Sequence, residues 1–159
     1  MRKFLLATIF IFLNIKNSTG IEMRCDFEEV YLDGSVQQGI LLLKEDKIRY
    51  QYKDLNLYTL LYSDHLYLVQ NQDRNGFQKL EEKSFLFKEI INIFSDFPNF
   101  NETYRKDDLY IKVDKSSDHF IKRIGIISND VILSINILNC KNERIFDRYF
   151  RHFPLEPYN

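Results

Sequence analysis

Apolar residues recur at every second position along most of this chain and at helical spacing in one stretch, residues 84–97. There Phe87, Ile90, Ile91 and Phe94 follow i, i+3, i+4, i+7, with Ser84 placed as an N-cap and Pro98 as a stop. The period of two predicts strands over 24–32, 38–43, 48–53, 57–62, 66–70 and, more briefly, 77–80. Beyond the helix it predicts strands over 109–114, 120–128, 131–139 and 145–153. Turn chemistry separates them: Asp33-Gly34-Ser35, the charged run 44–47, Ser63-Asp64-His65, the polar run 71–76, Ser128-Asn129-Asp130 and Lys141-Asn142-Glu143. Connections this short join antiparallel neighbours, because a parallel crossover needs about a dozen residues or more. The fold class expected is therefore mainly β: an antiparallel meander with one amphipathic α-helix to close it, a natural container for an apolar ligand.

Residues 1–20 follow a different rule. Arg2 and Lys3 precede an apolar run, residues 4–13, too short to span a bilayer, and Ser18-Thr19-Gly20 supplies small residues for cleavage. The reading is a secretory signal peptide over 1–20 and a single domain over 21–159. Removing the three basic residues of the leader takes the formal net charge from −1 to about −4. No basic stripe gathers along any element, which argues against nucleic acid as a partner. The charged residues, 28% of the chain, are interspersed with apolar ones as on a solvated sheet face.

Both cysteines, Cys25 and Cys140, lie in the exported part, where an oxidising compartment permits a disulfide. Two buried thiols are the alternative, since sequence alone does not bring their Cα atoms within bonding range. A zinc site on two cysteines so far apart, without a Cys-x-x-Cys pair, is disfavoured, and no metal or cofactor is expected. Catalytic chemistry is equally hard to find. Ser-Asp-His occurs at 63–65 and again at 117–119, but both copies fall where hairpin turns are expected, so turn formation accounts for them better than a triad. The paired carboxylates Glu28-Glu29, Glu81-Glu82 and Asp107-Asp108 read as solvated charges. The expectation is a non-enzyme.

One ordered set of segments carries a resemblance. Gly39-Ile40-Leu41-Leu42-Leu43-Lys44, Lys47-Ile48-Arg49-Tyr50-Gln51-Tyr52, Leu60-Leu61-Tyr62-Ser63-Asp64 and Leu66-Tyr67-Leu68 follow one another as a glycine-led strand, an arginine-aromatic strand, a strand ending in a Ser-Asp turn and an aromatic strand. In this the chain resembles the periplasmic outer-membrane lipoprotein carrier family. The resemblance continues through the helix, the strand at 109–114, Lys122-Arg123-Ile124 and Phe153-Pro154. It implies an incomplete antiparallel half-barrel whose apolar concave face, closed by helices, shelters the acyl chains of a lipoprotein, or of another lipid cargo, on the way from inner to outer membrane. An inner-membrane donor transporter and an outer-membrane acceptor are the partners it implies, for a monomer in the periplasm. Leu42, Tyr50, Tyr52, Leu60 and Tyr67 are then expected on or near the concave wall, and Phe87, Ile90, Ile91 and Phe94 on the inner face of the lid. Each of these also fits an ordinary core position, and only the set argues for a groove. Arg49 is expected to point outward. The chain departs from the family in carrying Glu45-Asp46 where the family has the Arg-Pro whose arginine holds the closed state, and in leaving no room for an N-terminal lid helix after residue 20. An envelope interaction or assembly module, binding a polypeptide in the groove or along a sheet edge, is the alternative reading.

Overall fold

Strand β1 (Glu22–Tyr31) shows how the alternation is used: Met23, Cys25, Phe27 and Glu29 are buried on one face, while the residues between them are half exposed. The computed structural model describes residues 21–80, 85–97, 99–117 and 120–158. The signal peptide assigned to 1–20, the Ser84 cap, the Pro98 stop, the Glu81-Glu82 pair and the Asp118-His119 end of the second tripeptide lie outside the described residues.

From β1 the chain meanders through β2 (Val36–Lys44), β3 (Lys47–Tyr52), β4 (Tyr58–Tyr62), β5 (Leu66–Gln70) and β6 (Phe77–Lys79). It then runs through helix α1 (Phe85–Ser95) into a second meander, β7 (Thr103–Lys106), β8 (Leu109–Lys115), β9 (Ile121–Ile127) and β10 (Ile132–Asn142). The two meanders meet where β10 pairs antiparallel with β1, so the order across the sheet is β6-β5-β4-β3-β2-β1-β10-β9-β8-β7. This is a mainly β protein, ten antiparallel strands in one unclosed sheet with a single helix among the described residues, an open half-barrel. Its free edges are β6 and β7, and α1 carries the chain from one to the other across the inner face.

The seam between the meanders is stapled. Cys25 and Cys140 form a disulfide with Cα atoms 4.1 Å apart and 115 positions between them in sequence. The β1–β10 register shifts between Arg24 and Asp26, where Asn139 adopts a φ of 51° and its side-chain amide donates to Asp26 at 3.1 Å. Gly39 has a packing reason: Phe27, its cross-strand neighbour, lies over it and stacks on Tyr50 at 3.8 Å, and a methyl group at residue 39 would overlap the Phe27 ring and the Gln51 carbonyl. At Gly34 the reason is conformational, since the turn after β1 needs a φ of 82°.

Two strand expectations change. Residues 145–153 are not a strand but an extended segment with a 3-10 turn, Asp147–Phe150, lying on the outer face of the first meander. Both edges of β10 are already taken, by β1 and β9, while Ile40, Leu42, Leu61, Tyr67 and Val69 leave apolar surface on that outer face. Ile145, Phe150 and Leu155 cover it. Arg49 points outward, as expected, but is buried beneath this cover, 1% exposed. Its guanidinium donates to the Tyr149 carbonyl at 2.9 Å, the Glu156 carbonyl at 2.8 Å and Gln51 Oε1, so it clips the C-terminal segment to the sheet. The second change is β7, which the alternation did not mark, because an exposed edge strand carries little apolar signal beyond Tyr104.

Candidate functional site

The inner face of the first meander is lined by Ile48, Tyr50, Tyr52, Leu60, Tyr62 and Leu66, every second residue of β3, β4 and β5. Against it α1 presents Phe87, Ile90, Ile91 and Phe94, and Glu29 and Ile135 complete the walls of a cavity of about 50 Å³. An apolar cavity needs about 150 Å³ to take a single benzene, so with α1 in this position no acyl chain fits. Ile93 and Phe94 are buried, 0% and 5% exposed, and they anchor the helix. Among the described residues no hydrogen bond or ion pair ties α1 to the sheet, and apolar contact alone holds it there.

Seven of the nine residues expected to form the site meet at this cavity: Tyr50, Tyr52, Leu60, Phe87, Ile90, Ile91 and Phe94. The other two face away. Leu42 packs on the outer face with Ile40, Ile145 and Phe150, and Tyr67 lies on the same outer face with Leu61, Val69 and Leu155, stacked on His152 at 4.0 Å. The parity follows from register, since Leu41 opposes Tyr50 and Leu42 opposes Arg49, while Leu60 opposes Leu68 and Leu61 opposes Tyr67. A run of consecutive leucines does not reveal which of its members point inward.

The residue that sequence reasoning passed over is Glu29. Read as half of a solvated pair, it is instead 4% exposed, at the end of the cavity. Its Oε1 accepts the hydroxyl of Tyr50 at 2.7 Å, its Oε2 accepts that of Tyr31 at 2.6 Å, and Tyr52 donates to both oxygens at 3.0 and 2.9 Å. Burial first, and then the carboxylate beside them, push the Tyr31, Tyr50 and Tyr52 phenols well above their ordinary value, so all three stay protonated donors. Among the described residues no cation pairs with Glu29, so hydroxyl donors alone solvate this charge. A signal for this placement was present: Glu29 continues the inward series Met23, Cys25, Phe27.

The first Ser-Asp-His tripeptide is consumed in its turn, where Ser63 Oγ donates to Asp64 at 3.0 Å and the His65 backbone N–H donates to the same oxygen at 2.9 Å. Among the described residues no group of three His, Cys, Asp or Glu side chains is placed to hold a metal. No described helix is long and apolar enough to cross a membrane. No family model and no curated protein matches this chain.

Proposed function

We propose that the protein is a periplasmic carrier that shelters the acyl chains of a lipoprotein, or of a related lipid, beneath α1 during transfer from inner to outer membrane. The observation that carries the reading is the seating of α1, an amphipathic helix between the two free edges of the sheet, held over a continuous apolar floor by contacts that an acyl chain can replace. The magnitudes favour exchange. Lifting α1 re-exposes two buried and four half-buried apolar side chains, a cost of about 8 kcal/mol at roughly 2 kcal/mol for each fully buried one and about half that for the others. Covering a chain of roughly sixteen carbons returns about 12 kcal/mol at about 0.8 per methylene. The two are close enough for loading to proceed and for a more apolar acceptor to take the cargo back. A disulfide between Cys25 and Cys140 supports an exported protein, because such bonds persist in oxidising compartments.

Native mass spectrometry of the exported protein, before and after delipidation, tests the proposal together with Ile90→Asp. The wild type should carry a lipid-sized mass that delipidation removes. The variant places a carboxylate in the apolar wall and should lose at least about tenfold in lipid occupancy while keeping its far-UV spectrum. A wild type that carries a polypeptide and no lipid, or a variant that loads as well as wild type, would overturn it.

A further inference from the structure

Beside the α1 cavity, and sharing Tyr52 as a wall with it, an open pocket of about 200 Å³ is lined by Tyr31, Ser35, Gln37, Tyr52, Leu57 and Tyr58. Tyr31 and Tyr52 both donate their hydroxyls to Glu29, which sits behind them, and Gln37 is the direct cross-strand neighbour of Glu29. The Tyr52 and Tyr58 rings stand 5.2 Å apart at 79°, so adjacent walls of the pocket are close to perpendicular, as an aromatic cage requires.

We propose that this pocket binds an organic ammonium group, the head of an amphiphile whose tail lies under α1. Charge fixes the class of ligand. The pocket backs onto a negative charge that no described cation balances, which repels anions and attracts a positive group. Both Glu29 oxygens are already occupied by tyrosine hydroxyls, so a hard metal ion that needs bare oxygen ligands finds none. A quaternary ammonium carries diffuse charge, is attracted by ring faces and needs no open oxygen. The tyrosines thus divide two tasks: the Tyr31 and Tyr52 hydroxyls hold the carboxylate, while the Tyr52 and Tyr58 rings wall the space offered to the cation.

The tail half of this inference rests on the carrier reading, and the head half does not. Isothermal titration of the full mature chain with tetramethylammonium, dodecyltrimethylammonium and dodecyl maltoside separates them, with both amphiphiles kept below micelle formation. Dodecyltrimethylammonium should bind about tenfold or more tighter than the maltoside. Glu29→Gln should reduce that ratio to under about threefold, whatever it does to either affinity alone. Tyr58→Leu, which leaves every hydrogen bond to Glu29 in place, should cost the ammonium ligands about fivefold. Equal affinity for the two heads in wild type, or a ratio unmoved by both variants, overturns the ammonium pocket even if the amphiphiles bind. Tetramethylammonium binding that Glu29→Gln or Tyr58→Leu weakens, with neither amphiphile gaining from its tail, upholds the pocket and removes the carrier reading.

Discussion

Replacing Cys25 and Cys140 together with serine should lower the unfolding free energy by about 4 to 5 kcal/mol and the melting temperature by roughly 15 °C. The size follows from the 115 positions that the bond closes and from its place in the sheet. The pairing of β1 with β10 is the only one that joins the two meanders among the described residues, and it brings together the first and last strands. Without the bridge, the unfolded chain recovers the freedom of that whole loop, while the folded chain keeps nearly the same contacts. Urea titration of oxidised wild type, reduced wild type and the double serine variant measures the effect, and the last two should agree within about 1 kcal/mol. A loss below about 1 kcal/mol in both would show that the seam holds without its staple.

Gly39→Ala should be nearly as severe, about 3 kcal/mol, and should damage the site as well as the fold. The added methyl overlaps two things that cannot yield cheaply. One is the ring of Phe27, which is 1% exposed and stacked on Tyr50, and the other is the Gln51 carbonyl of the adjoining strand. Shifting Phe27 pushes on Tyr50 and on Tyr52, whose ring meets it edge-on at 5.6 Å, and these two hydroxyls hold Glu29. The expected result is a lower urea midpoint together with weaker binding of any ligand that reaches Glu29. Adding Phe27→Leu should recover part of the loss by giving the methyl room on one side. A variant within about 1 kcal/mol of wild type, with unchanged binding, would contradict this account of the glycine.

The period of two marked β1 to β6, β8, β9 and β10 to within a few residues, and it is clearest in β1 and β8, where buried residues alternate with more exposed ones. It failed where that contrast vanishes. Ile40 to Leu43 are all buried, so the pattern could not say that Leu41 and Leu43 face the helix while Leu42 faces the C-terminal cover. The same cover misled the reading of 145–153: Ile145 and Phe150 do bury one side, but against an existing sheet rather than within it. On α1 the stripe through Phe87, Ile90, Ile91 and Phe94 was legible, yet Ile93, three residues on from Ile90, is the more deeply buried anchor. Glu29 stayed hidden for a chemical reason. A glutamate beside another glutamate reads as solvated unless its partners are known, and those partners, Tyr31, Tyr50 and Tyr52, come from two strands whose register only the fold supplies.

The central claim is that α1 leaves its seat to admit an acyl chain. Both native cysteines are bridged, so spin labels can be placed selectively on cysteines introduced at Lys88, on the exposed side of the helix, and at Asn56, in the exposed loop between β3 and β4. The distance between them, measured by pulsed electron paramagnetic resonance with and without a palmitoylated peptide, reports the position of the lid. Saturating cargo should move the distribution outward by about 4 Å or more, the thickness of one added layer of carbon in van der Waals contact. A distribution that stays in place while the palmitoylated peptide binds to saturation would contradict the account.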